Sequence, residues 1–98
     1  QMIPESGVYA VKVRMENSMV WKHGMMNVGT RPTFDGKRIT LETHIFNFDG
    51  DIYDQLLLVS FVKRIRGEQK FDSPEELAAQ LKEDEQTIME IFEEEKEK

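Results

Sequence analysis

Glu42 and His44 stand two residues apart in the stretch Thr40-Leu41-Glu42-Thr43-His44-Ile45-Phe46-Asn47-Phe48. With the period of two that a strand imposes, Ile39, Leu41, Thr43 and Ile45 share one face, while Thr40, Glu42, His44, Phe46 and Phe48 share the other. A carboxylate and an imidazole beside aromatic rings are equipped for proton transfer. Apolar surroundings disfavour a charged carboxylate and raise its proton affinity towards that of a working base. The plainer readings are a solvated glutamate on an exposed strand face and a histidine hydrogen-bonded to a neighbour. His23 and His44, in a chain without cysteine, make no zinc-ligand spacing, which sets a structural metal aside.

A second chemical cluster is Asn27-Val28-Gly29-Thr30-Arg31-Pro32-Thr33-Phe34. Proline has no N–H for a ladder, so this segment is expected as an ordered loop rather than a central strand. Such a loop offers backbone N–H groups, a hydroxyl and a guanidinium, which suit a phosphorylated or polar ligand. It also fits a simple corner bend. No GxxxxGK[ST] run exists, which excludes a P-loop. Arg64 and Arg66 end an apolar run, either as a solvated junction or as planar cations able to stack on a flat ring.

The elements that must position these groups are β first and helical last. Gly7–Met15 alternates as a strand, with Val8 and Ala10 set against Tyr9, Val11 and Val13. Glu16-Asn17-Ser18 forms a polar turn, Met19-Val20-Trp21 starts a returning strand that Gly24 interrupts, and Met25–Val28 resumes it. Asp35-Gly36 and Asp49-Gly50 are hairpin signals on either side of the Glu42 strand. Leu56–Arg66 is a long apolar strand that turns basic. Short strands joined by tight turns predict an antiparallel barrel or sandwich. Ser73-Pro74-Glu75-Glu76 is then a helix start with an N-cap, a first-position proline and a capping-box glutamate. Leu77, Leu81, Ile88, Ile91 and Phe92 form its apolar stripe, and Glu93–Lys98 is expected to fray.

The 98 residues suit one domain with a single core. A net charge of −6 argues against a nucleic-acid partner, since phosphate contacts demand a basic face. No run approaches the length of a membrane span, no secretory signal is visible, and the missing cysteines fit a cytoplasmic protein.

GVYAVKV, NVGTRPTF, LETHIFNFDGDIYDQ and FVKRIRGEQKFDSPEELAAQLKEDEQ, in that order, closely resemble the riboflavin kinase module, over roughly residues 4–92. That module is often the C-terminal half of a bacterial bifunctional enzyme that makes FMN and then FAD. The resemblance implies a mainly β fold, a six-stranded antiparallel Greek-key barrel with one C-terminal helix packed on it. It implies transfer of the γ-phosphoryl group of ATP, with Mg2+, to the ribityl 5′-hydroxyl of riboflavin, giving FMN. By the same resemblance Glu42 is the catalytic base. Asn27, Gly29, Arg31, Thr33 and His44 border the substrate, and Arg66 with the helix start lies near the isoalloxazine end. Two departures stand out. The family's GxxLGFPTAN segment, which carries its phosphate and metal contacts, has no counterpart after Gln1-Met2-Ile3-Pro4, because Pro32-Thr33-Phe34 matches the later RPTF motif. Asp54 stands where the family has glycine after Tyr53. The expectation is therefore one riboflavin kinase-like domain over residues 1–98, with a barrel at about 4–71, a helix at about 73–92 and a polar tail. It is expected as a fragment fused in a longer chain to an FMN adenylyltransferase domain, its metal ligands lying before Gln1. Two alternatives stay open: a flavin-binding module without catalysis, and an interaction domain that exposes the Leu77/Leu81/Ile88 stripe.

Overall fold

A computed structural model describes residues 4–48 and 56–96. The chain order is β1 (Gly7–Met15), β2 (Lys22–Thr33), β3 (Gly36–Ile45), β4 (Leu57–Arg66) and α1 (Pro74–Lys96). All strand pairs are antiparallel, and the sheet order is β3-β2-β1-β4. Three consecutive strands followed by a fourth that returns beside the first is Greek-key connectivity. The mainly β fold with a C-terminal helix is as expected. Barrel closure is not: among the described residues the sheet is open, with β3 and β4 at its two edges. The Asp49-Gly50 turn, Tyr53 and Asp54 lie outside the described residues.

β1 alternates between two apolar sets because both of its faces are covered. Val8 and Ala10 join Met25, Phe46, Ile88 and Phe92 in a core beneath the helix. Tyr9, Val11 and Val13 join Met26, Val28 and Ile45 on the opposite face. There the Tyr9 ring meets Phe61 edge-on at 5.1 Å, and its hydroxyl donates to the Glu5 carbonyl at 2.7 Å.

Further expectations need correction: the returning strand begins at Lys22, after Met19-Val20-Trp21 rather than with them. β2 runs unbroken through Gly24, where a Cβ would come within 2.7 Å of the His44 carbonyl oxygen; glycine is what admits β3 so closely. Next, Gly29–Thr33 is strand rather than loop. Pairing with β1 ends at Val28, so Pro32 has a ladder neighbour on one side only, the edge condition that tolerates proline. The two-residue turn Phe34-Asp35 closes this hairpin, and Gly36 enters β3 at φ 141°, a value side-chain-bearing residues avoid. Finally, Phe48 leaves the Glu42 face. Asn47 adopts φ 55°, which breaks the alternation and sends Phe48 against the opposite core.

The helix starts as its sequence signals require. The Ser73 hydroxyl accepts from the Glu76 N–H at 3.2 Å, and the Glu76 carboxylate accepts from the Asp72 N–H at 2.9 Å. It runs to Lys96 rather than ending near residue 92, because its last turns are tied to the sheet. Lys12 Nζ meets Glu95 at 3.0 Å, and the Phe92 ring stacks on His23 at 3.9 Å and 3°. Ile88 is fully buried, which disposes of a freely exposed stripe.

The main tie is ionic. Asp84, 2% exposed, receives Arg66 Nε at 3.0 Å and Nη2 at 2.8 Å, together with Gln80 Nε2 at 3.0 Å. Every buried carboxylate lone pair needs such a donor, because an uncompensated charge in this seam would be costly.

Two measurements check this account. Asp84→Ala strands the Arg66 guanidinium and should lower unfolding free energy by about 3 kcal/mol in urea titrations; a loss below about 1 kcal/mol would show the pair to be a surface contact. His23 has its pKa lowered from 6.5, first by burial and then by Lys12 and Lys96, with Glu95 opposing. A depressed folded-state value means the unfolded chain binds the proton more readily, so stability is full above pH 6.5 and declines as pH falls below it. Denaturation midpoints at pH 7.5 and 5.5 should therefore differ more in the native protein than in His23→Phe, which keeps the stack and cannot protonate.

Candidate functional site

The sheet register lays side chains in rows across β1, β2 and β3. Val8 is opposite Asn27 and Asn27 opposite Glu42; Ala10 is opposite Met25 and Met25 opposite His44. Residues directly opposite on one face have Cβ atoms roughly 5 Å apart. Glu42 thus stands beside an amide, one row from a methionine and a histidine, on the face that α1 covers.

Between this face and the first half of α1 lies a groove of about 710 Å³. Val8, Met25, Asn27, Glu42 and His44 contribute from the strands, and Leu77, Leu81, Lys82 and Glu85 from the helix. The groove exists because the stripe packs tightly only at Ile88 and Phe92, whereas Leu77 remains 42% exposed. Its floor is apolar and its rim polar, the usual character of a small-molecule site. His44 Nε2 lies 3.9 Å from Glu85 Oε2, linking strand wall to helix wall, and the His44 ring tilts against Phe46 at 5.6 Å.

Of the residues selected from sequence, Glu42, Asn27 and His44 come together in this groove. Gly29, Arg31 and Thr33 do not line it. They continue along β2 on the Asn27 side, opposite Thr40, Arg38 and Gly36. Arg66 does not line it either: its guanidinium is engaged by Asp84 and the Gly67 carbonyl, with the Phe71 ring 5.8 Å away. Sequence reasoning missed the helix wall. Leu77, Leu81 and Glu85 recur every fourth residue, and Lys82 adjoins them, yet this face reads as core plus solvent until the helix is docked.

The arrangement can accept a proton from an alcohol at the Glu42 carboxylate while a flat apolar ligand rests against Met25, Val8 and Leu81. No group of three or more His, Asp or Glu residues placed to hold a metal ion occurs among the described residues.

Comparison with known proteins bears on what the groove serves. The family model described as flavokinase, riboflavin kinase, matches residues 1–92. The bifunctional riboflavin kinase/FMN adenylyltransferase of Haemophilus influenzae is 41% identical over 92 residues, covering 94% of this chain and 30% of the relative. The Escherichia coli K12 protein of the same name is 42% identical over 92 residues, 94% of this chain and 29% of its own length. A crystal structure described as a macrolide-efflux protein from Streptococcus pneumoniae superposes with a TM-score of 0.82 at 39% identity, over 90% of this chain and 28% of that one. The chain spans about 30% of the length of the curated relatives it matches. With its Greek-key sheet, its helix and a match along nearly its whole length, the chain belongs to the riboflavin kinase family.

Proposed function

We propose that this domain phosphorylates riboflavin, moving the γ-phosphoryl group of ATP onto the ribityl 5′-hydroxyl to give FMN and ADP. Family membership supports the reaction class. The observation that carries it to particular atoms is the position of Glu42, at the polar rim of an apolar-floored groove, beside Asn27 and His44. The ring system of the flavin suits the floor, and the ribityl hydroxyls suit the rim. As the bond from the acceptor oxygen to γ-phosphorus forms, the bond from phosphorus to the β-phosphate oxygen breaks. The hydroxyl proton passes to Glu42 and ADP departs. Phosphoryl transfer needs mainly alignment and charge neutralisation, so one well-placed base suffices from the protein on the acceptor side. Mg2+ is proposed as the nucleotide's partner, and no step above passes through it.

Asn27 and His44 are assigned to the substrate alcohol. Gly29, Arg31 and Thr33, farther along β2, are assigned to the substrate border beyond the groove. Arg66 acts on the flavin end only indirectly, by holding the helix. The chain is read as one domain over residues 1–98, working in the cytoplasm within a longer protein that also carries FMN adenylyltransferase activity. Among the described residues no helix is long and apolar enough to cross a membrane.

Glu42→Gln in the full chain should lower kcat by about 10²- to 10⁴-fold while riboflavin affinity stays within about twofold. Unchanged turnover would remove Glu42 from the mechanism. A wild-type full chain that binds riboflavin without phosphorylating it would favour the flavin-binding module instead.

A further inference from the structure

We infer that Lys82 is the residue that holds the phosphate of the flavin product, an assignment that rests on the kinase reading above and adds a binding residue from the helix. From Pro74 to Glu95 every charged residue of α1 except one is a carboxylate. The exception, Lys82, stands on the helix wall of the groove beside Leu81 and Glu85, facing the wall that carries Glu42. A single cation within this acidic stretch of the helix has many sites where it could relieve repulsion at the surface. This one faces the groove, next to the two carboxylates, Glu42 and Glu85, that line it.

Its charge is also available. Among the described residues the ion pairs made by lysine and arginine are Lys12–Glu95, Arg64–Glu5 and Arg66–Asp84, and none engages Lys82. Glu85, three residues on, lies against His44 instead.

The chemistry of substrate and product makes this position meaningful. Riboflavin is neutral and needs no counter-charge. A phosphate monoester carries about −1.5 to −2 at neutral pH. Formed beside Glu42 and Glu85, it meets two like charges. An ammonium on a flexible four-carbon stem can follow the phosphate as a point charge without demanding bidentate geometry. Lys82 thereby distinguishes FMN from riboflavin, binding the product form more than the substrate form.

The test is equilibrium binding of riboflavin and of FMN to the full chain, followed by flavin fluorescence without nucleotide or metal, in wild type, Lys82→Met and Lys82→Arg. Lys82→Met should weaken FMN binding about tenfold or more, the loss of one charge-assisted contact, and leave riboflavin within about twofold. Lys82→Arg should keep most of the FMN affinity. Added salt should erode FMN binding in wild type more than in Lys82→Met. If Lys82→Met shifts both flavins equally, or neither, the Lys82 assignment is overturned while the kinase reading stands. If wild type binds neither flavin, the reading of the groove itself falls, and this assignment with it.

Discussion

The Arg66–Asp84 pair decides how the helix lies on the sheet. Apolar contacts at Ile88 and Phe92 can hold a helix against strands, but they tolerate small rotations about its axis. A carboxylate received by a guanidinium at 2.8 and 3.0 Å does not. With Asp84 turned to the end of β4, Ile88 one turn later must face the core. Leu77, Leu81, Lys82 and Glu85 are then directed at β3 and its Glu42. A helix rotated by a single residue would bring a different set of side chains to that wall. The pair thus shapes the groove without entering it.

Seen from the groove, the sheet and helix divide the chemistry between them. The strands bring the Glu42 carboxylate, the Asn27 amide and the His44 imidazole in adjacent rows, a spacing fixed by backbone pairing and so hard to perturb. The helix brings the charge and part of the apolar floor, and its placement depends on a few tertiary ties at Asp84, Phe92 and Glu95. Sites built on regular elements keep their geometry better than sites on loops. Here the two kinds of support differ in strength.

Much of this was legible in the residues alone, for identifiable reasons. Val8-Tyr9-Ala10-Val11 alternates because both faces of β1 are covered, and Ser73-Pro74 marks the helix start through local hydrogen bonding that needs no tertiary partner. Glu42, His44 and Asn27 were found from pattern and family resemblance, and they converge. What escaped reading depends on information outside the local window. Pro32 sits in a strand because pairing with β1 stops at Val28, opposite Gly7, a fact about another segment. Phe48 crosses the sheet because of one left-handed residue, Asn47. Arg66 looked like a ligand contact because nothing in its neighbourhood announces a partner eighteen residues later. The helix wall stayed hidden for the same cause.

The hairpin beyond Val28 carries a consequence of its own. From Arg31 to Ile39 every residue is exposed, and Arg31 stands opposite Arg38, two guanidinium groups on one face of a two-stranded ribbon. Like charges so placed repel, and such a ribbon has little buried surface to oppose separation of its tip. Amide protons there should exchange with deuterated solvent well before those of Met25 to Val28, whose strand is flanked on both sides. The polypeptide next to the groove is therefore graded in rigidity, anchored where Glu42 meets Asn27 and increasingly free to breathe towards Phe34.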